Sequence, residues 1–322
     1  MNKLNGINVL SLFDGISCGM IALERANIKV NNYYASEIEP NAIAISQNNY
    51  PNIIRLGDIT KWKTWNIDYS SIDLILAGSP CQGFSFCGKQ LNFDDKRSKL
   101  FFEFLDIYNH ILKFNPNVKF LLENVEMKNE YKNVISQLLH CDYICIDSEL
   151  ITPMRRKRLY WCNWNVNMPQ SKSTILKDIL DYNVNDKYFL NEVKFNKLIE
   201  FKDNNLFIKN KDNRDLLVQE NDGVILSRTW QVYMPLIKQK SHCIRSANPD
   251  DIGVCVLYNN QLRFRRFTLS EMERLQTLPV GYTNCVNESA AKKCIGNGWT
   301  VDIITHLLNC LYHYPVNNNK LF

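Results

Sequence analysis

Short apolar runs alternate with stretches of helical periodicity through the first half of the chain. Residues 7–12 (Ile-Asn-Val-Leu-Ser-Leu) read as a strand, followed by a glycine-containing turn and a helix from about Gly19 to Ala26. Strands are predicted again near 33–36, 53–56, 72–77, 118–123, 143–150 and 158–162, with helices over 99–113 and 130–139. This alternation predicts an α/β fold, a doubly wound and mostly parallel sheet covered on both faces. The pattern changes after residue 164. Residues 165–240 are rich in Asn, Lys and Asp and weakly periodic, yet Tyr188, Phe189, Phe195, Phe201, Phe207, Trp230 and Tyr233 supply material for a modest core. A small second domain is expected over 165–262. From about 263 a helical pattern returns, with Leu269, Met272, Leu275 and Leu278 at spacings of three, and Val301 to Leu311 reads as a last amphipathic helix. Residues 263–322 are therefore expected to rejoin the first domain.

Two of the predicted strands end in groups able to do chemistry. The run Leu74-Ile75-Leu76 gives way to Gly78-Ser79-Pro80-Cys81-Gln82-Gly83, and the run Val118 to Leu122 ends in Glu123-Asn124-Val125. Both reactive side chains can share one sheet edge. A thiolate nucleophile beside a carboxyl group that hydrogen-bonds a ring nitrogen suits attack on a pyrimidine. The first strand runs into Phe13-Asp14-Gly15-Ile16-Ser17-Cys18-Gly19, where small residues let a backbone turn approach a ligand at a helix N-terminus. Glu37, in Ser-Glu-Ile38, ends the second strand, placed to accept from ribose hydroxyls. Asp58, in Gly-Asp-Ile59, ends the third and can accept from an adenine amino group or cap a helix. This grammar is shared by nicotinamide and S-adenosylmethionine enzymes and does not choose between them.

Pro80-Cys81, Glu123-Asn124-Val125, Phe13-Asp14-Gly15-Ile16, Ser36-Glu37, Gly57-Asp58-Ile59 and Gly296-Asn297-Gly298-Trp299 stand in the order of the DNA cytosine-5 methyltransferase motifs. The chain resembles that family over nearly all its length except about 165–240. The flavour is that of the compact bacterial or phage enzymes, with some resemblance to the vertebrate de novo DNA methyltransferases. The resemblance implies a Rossmann-like methyltransferase domain over 1–164 and a target recognition domain over 165–262. It implies transfer of a methyl group from S-adenosylmethionine to carbon 5 of cytosine in double-stranded DNA at a short sequence, after base flipping and attack of Cys81 on carbon 6. Methylation of transfer RNA and an inactive DNA-binding relative are the alternatives.

Residue by residue, the resemblance makes Cys81 the nucleophile and sets Glu123 at N3. Met154-Arg155-Arg156-Lys157-Arg158 matches the family's Gln-x-Arg-x-Arg segment with Met154 in the glutamine's place. Arg158 is then expected to donate to the cytosine O2, Arg156 to order a loop or a phosphate, and Asn124 to hold the Pro-Cys loop. Phe13, Asp14, Gly15, Ile16, Gly19, Glu37, Ile38, Asp58, Ile59, Ser79, Pro80, Leu100, Asn297, Gly298 and Trp299 are the expected cofactor contacts. Ser85, Lys89, Arg97 and Arg245 are the expected DNA contacts, with Lys238, Lys240 and Arg263 as further phosphate contacts.

Composition adjusts this picture little. With 322 residues, 45% hydrophobic and 22% charged, the chain can build one large core and one small one. The net charge of +5 is mild, but clusters at 155–158, 263–266 and 96–99 favour phosphate contact. Eleven cysteines lack metal-ligand spacing, so no metal is expected and the thiols are taken as reduced. No apolar run approaches the roughly 18 residues of a membrane span. Met1-Asn2-Lys3 lacks a signal-peptide core. The protein is expected to be cytoplasmic and monomeric, in a bacterial or phage-infected cell, with a cognate restriction endonuclease as a candidate partner.

Overall fold

The computed structural model describes residues 6–79, 99–196, 199–203, 205–209, 215–226 and 236–313. It divides into two compact units, residues 1–146 with 157–168 and 301–322, and residues 147–156 with 169–300.

The first unit is built on a seven-stranded sheet of order β3-β2-β1-β4-β5-β7-β6. The strands are β1 (Ile7–Leu12), β2 (Val30–Ser36), β3 (Ile54–Arg55), β4 (Leu74–Gly78), β5 (Lys119–Val125), β6 (Tyr143–Asp147) and β7 (Lys157–Cys162). β1 to β5 pair in parallel, and β7 runs antiparallel to β5. The chain winds outward from β1 through β2 and β3, then restarts on β1's other side with β4 and β5. The carboxyl ends of β1 and β4 therefore flank a topological switch point, where such sheets bind ligands. Registration is tight. Leu12 pairs with Ser36 on one side and Ala77 on the other, and Ala77 pairs with Leu122.

Four helices connect these strands: α1 (Cys18–Arg25), α2 (Pro40–Asn49), α3 (Lys99–Leu112) and α4 (Asn129–Leu139). Leu10, Leu12, Ile75, Ala77, Phe120 and Leu122 pack with Phe101, Phe104, Ile107, Tyr108 and Ile111 of α3 in one buried cluster. Their period of two shows which sheet face α3 covers. Val301–His313 packs against α1, where Arg25 bonds Asp302 at 2.7 Å. Among the described residues no helix is long and apolar enough to cross a membrane.

The second unit has its own core of Leu190, Phe195, Leu206, Ile208, Val218, Val224, Cys255 and Phe264. Its four-stranded antiparallel sheet includes the hairpin Ile252–Tyr258 and Gln261–Arg266. The two-residue turn Asn259-Asn260 has φ 48° and 60°, the doubly left-handed conformation whose twist suits a hairpin. The helical pattern expected from 263 thus begins later. Residues 263–266 are strand, and the helix Leu269–Leu275 starts behind a Thr268 cap. The chain rejoins the first unit at Val301 and not at 263.

Arg265 and Glu271 hold the join between this strand and helix. Arg265 is 1% exposed, and its two terminal nitrogens meet Glu271 at 2.6 and 2.7 Å. Glu271 also closes a capping box with Thr268 and accepts from the Asp181 N–H. Removing one member of a buried pair strands the other charge. Glu271→Gln is expected to cost about 3–5 kcal/mol, read as a lower urea midpoint for the second unit. The double variant Arg265→Met/Glu271→Leu should recover much of that loss. An unchanged midpoint in Glu271→Gln would show that the pair adds nothing.

Candidate active site

The in-register strand ends define the site. One residue beyond the Ser36–Leu12–Ala77–Leu122 row come Glu37, Phe13, Gly78 and Glu123, so four strands deliver their next residues along one edge. At β1 the chain turns sharply. Phe13, Gly15 and Ser17 all have φ near +58°, and a side chain on Gly15 would meet nothing within 4 Å. That open space lies over a turn held from below. Asp14 is buried, accepting from Ser17 Oγ at 2.5 Å and Tyr33 OH at 2.8 Å. Ser17 Oγ also bonds Ser46 Oγ, which accepts from Arg55. Burial pushes the Asp14 carboxyl above its usual range, against the hydrogen bonds that lower it.

Glu37 closes the turn from the neighbouring strand. Its Oε2 accepts from Gly15 N–H at 2.8 Å, and Oε1 accepts from Ile38 and Glu39 N–H at 2.7 and 2.9 Å. A carboxylate has about four acceptor positions, so Glu37 can organise the turn and still take a hydroxyl. Ile38 beside it is 68% exposed, an apolar face at the sheet edge. Asp58 caps the short helix Ile59–Thr64, accepting from Thr60 N–H at 2.9 Å, and Ile59 is buried. Ile16 is buried in the turn before α1, Gly19 is buried in the first turn of α1, and Leu100 is half-buried at the start of α3. An apolar face, a carboxylate and a left-handed turn beneath open space together fit a nucleoside-bearing cofactor.

On the other side of the switch point, Glu123 is 9% exposed and meets Arg158 Nε through Oε1 at 3.0 Å. β7 pairs Val125 with Arg158 and Glu123 with Tyr160, which sets the two side chains diagonally across neighbouring strands. Asn124 is buried and donates through Nδ2 to Ser79 Oγ and O at 3.1 and 3.4 Å. It thereby fixes the residue that precedes Pro80-Cys81. Pro80, Cys81, Ser85, Lys89 and Arg97 lie outside the described residues.

Two residues from Arg158, Arg156 does something else. It is 4% exposed in the second unit, with Nη1 on Ile244 O and Cys243 Sγ and Nη2 on Gly296 O and Gly298 O at 2.8–3.2 Å. It orders loops and is too buried to meet a phosphate. A Cβ on Gly296 would lie 2.6 Å from Ser246 N, so that close approach requires glycine. Gln276 donates to Ile295 O and Gly298 O and accepts from Thr300 Oγ1. Within this frame Asn297 is exposed, Gly298 buried and Trp299 half-buried.

The expected phosphate contacts are mostly engaged within the protein. Arg245 bonds Asp251 at 3.0 Å, and Lys240 Nζ donates to Glu149 O and Thr174 O. Lys238 bonds Asp222, and Arg263 lies over Phe195 and donates to Leu190 O. Within the 263–266 cluster Arg265 is buried against Glu271, where it supports the second unit's packing. The supports that sequence reasoning missed are Tyr33, Ser46 and Gln276, ordinary polar residues whose roles arise only from tertiary neighbours. The Thr268-x-x-Glu271 capping box was a readable signal.

The family model for C-5 cytosine-specific DNA methylases matches residues 7–313. The chain belongs to this family. Type II methyltransferase M.NlaIV of Neisseria lactamica is 39% identical over 127 residues, 39% of this chain and 29% of that protein. Type II methyltransferase M1.ScrFI of Lactococcus lactis subsp. cremoris is 30% identical over 209 residues, 57% of this chain and 51% of that protein. The matches thus span about half or less of these relatives' length. The S. pombe Dnmt2 methyltransferase structure is 19% identical, with a TM-score of 0.65 over 95% of this chain and 98% of that one. At that identity it speaks for the fold, the doubly wound mostly parallel sheet of a Rossmann-like α/β protein.

His242 is a further buried titratable group in the second unit, 8% exposed, with no partner for Nε2 among the described residues. Burial, reinforced by Arg155 and Arg245, pushes its pKa down to about 4. As pH falls through about 6.5, the unfolded chain takes up this proton before the folded one. The stability His242 confers is therefore complete above about pH 6.5 and lost progressively toward pH 4, by about 3 kcal/mol at ~1.4 kcal/mol per unit. The difference in urea midpoint between wild type and His242→Phe, followed from pH 7 to 4, should show this slope. A difference that stays constant with pH would refute it.

Proposed function

We propose that this protein methylates carbon 5 of cytosine in double-stranded DNA at a short specific sequence, with S-adenosylmethionine as donor. The observation that carries the reading is the Glu123–Arg158 pair on β5 and β7, with Asn124 holding the residue before Pro80-Cys81. Family membership supports the reaction class. The Phe13–Ile16 turn, Glu37 and Ile38 are the first unit's proposed cofactor contacts. When bound, the cofactor supplies an electrophilic methyl group to carbon 5.

The chain's own residues prepare the cytosine for it. A base in a duplex presents no face to a nucleophile, so the target is flipped out of the stack. The Cys81 thiolate adds to carbon 6, forming a carbon–sulfur bond and breaking the 5,6 double bond, whose electron pair makes carbon 5 nucleophilic. Glu123 hydrogen-bonds N3 and stabilises charge as it develops on the ring. Arg158 fixes the Glu123 rotamer and donates to the carbonyl O2. After methylation a base removes the carbon-5 proton, the double bond re-forms and Cys81 leaves with its electron pair. A donor placed where charge appears in the transition state contributes about 3–4 kcal/mol, so Glu123 acts mainly on rate. Target reading is assigned to residues 165–262, supported by their independent apolar core.

Base-resolution mapping of 5-methylcytosine on unmethylated plasmid tests the reading directly. Wild type should mark one short motif. Cys81→Ser should mark none while still shifting duplex in a gel, and Glu123→Gln should slow turnover at least about a hundredfold. Methylation by Cys81→Ser at the wild-type rate, or none by wild type on any duplex, would overturn the assignment. Glu37→Ala should weaken cofactor binding far more than DNA binding, and unchanged cofactor affinity by calorimetry would remove Glu37 from the site.

A further inference from the structure

The second unit contains a cleft of about 540 Å³ whose lining includes none of the proposed catalytic or cofactor contacts. It runs between the 177–189 segment, the 220–221 turn and the end of strand Ile252–Tyr258. That volume lies within the range of small-molecule sites. Tyr182, Phe189 and Tyr258 all line it, and the rings of Phe189 and Tyr258 pack 4.5 Å apart. Tyr182 is 95% exposed, Leu257 52% and Tyr258 37%. Large apolar side chains gathered at one concavity and left open to water mark a binding surface more than scattered ones do.

The polar lining identifies the ligand's chemistry. Asn183, Asn185 and Asn221 line the same cleft, and side-chain amides both donate and accept, as base edges require. A cationic guest would need several uncommitted carboxylates near the rings, and Glu220 is the one the lining leaves exposed. Asp181 is taken by Thr268, Ser270 and Arg274, and Asp186 accepts from Tyr258 OH. Arg265 in the lining is neutralised by Glu271. Of the lining's charged residues, only Lys177 and Glu220 are exposed, and they nearly cancel. The cleft thus offers aromatic faces, amides, little net charge, one exposed ammonium and one exposed carboxylate. A planar neutral heterocycle carrying a phosphate matches this set. Base–aromatic stacking needs no particular base, because every base has a π face.

We propose that the Tyr182–Phe189–Tyr258 cleft is a second nucleotide site, which stacks an unpaired nucleobase against Tyr182 and sets its phosphate by Lys177. It goes beyond cytosine methylation and holds whether or not the first unit carries out that reaction.

The test is binding of 5′-dAMP to the full chain, followed by saturation-transfer NMR. Wild type should bind, and Tyr182→Ala should bind about tenfold more weakly or less. Tyr182 is so exposed that this substitution leaves the core untouched. Lys177→Ala should weaken 5′-dAMP but not adenosine. Glu37→Ala, which alters the first unit's proposed cofactor contact, should bind 5′-dAMP as wild type does. Methyl transfer by Tyr182→Ala on duplex DNA reports separately on the first unit, so the two readings can fail independently. Equal affinity in wild type and Tyr182→Ala overturns the site, as does loss of binding in Glu37→Ala alone. Saturation of trimethyl-lysine in place of 5′-dAMP overturns its assigned chemistry.

Discussion

The pairing of Leu12 with both Ser36 and Ala77, and of Ala77 with Leu122, is the constraint on which the candidate site rests. Because alternate residues of a strand face opposite ways, a slip of one residue would exchange the sets packed on the sheet's two faces. The apolar rows packed on α3 forbid that slip. With the register locked, the turn after β1, the carboxylate after β2 and the carboxylate near the end of β5 must emerge along one edge. Hydrophobic packing beneath the edge thus fixes polar geometry on it.

The edge is then stiffened locally. Glu37 spends three hydrogen bonds on backbone N–H groups, one of them from Gly15 on the neighbouring strand's turn. Asp14 anchors the same turn from inside through Ser17 and Tyr33. Left-handed Phe13 and Ser17 are costly by themselves, and the network compensates for that cost. Asn124 plays the corresponding part on β5, tying Ser79 down through a buried amide. Groups that touch a ligand are only as well placed as these supports allow.

Much of this was legible in the sequence, for identifiable reasons. The predicted strand at 7–12 and the helices at 99–113 and 130–139 recur almost to the residue, because long apolar runs and 3.6-residue periodicity are strong signals. The strand-end positions of Glu37 and Glu123 were legible because a carboxylate ending an apolar run is conspicuous. The hairpin Ile252–Tyr258 and Gln261–Arg266 was missed, although Asn259-Asn260 is a hairpin turn signal, because Arg263, Arg265 and Arg266 read as surface charge. Charge in a sequence reveals neither burial nor partners. Arg265 needed Glu271, and Arg263 needed the Phe195 ring, before either could leave water.

The two arginines of the Arg156-Lys157-Arg158 segment show how a motif can divide its labour. Residues two apart on a strand share a face, yet β7 begins only at Lys157, so Arg156 is not bound by that rule. Arg158 joins Glu123 inside the first unit's sheet, while Arg156 reaches four acceptors on two loops of the second. Satisfying that many acceptors takes a planar group with several fixed donors, which an ammonium does not provide. The positive charge itself is secondary at Arg156, because its partners are carbonyls and a thiol. At Arg158 the partner is a carboxylate, and the charge decides how that carboxylate is held. One short basic segment thus supplies a scaffold tie to one unit and a charged partner to the candidate acid of the other.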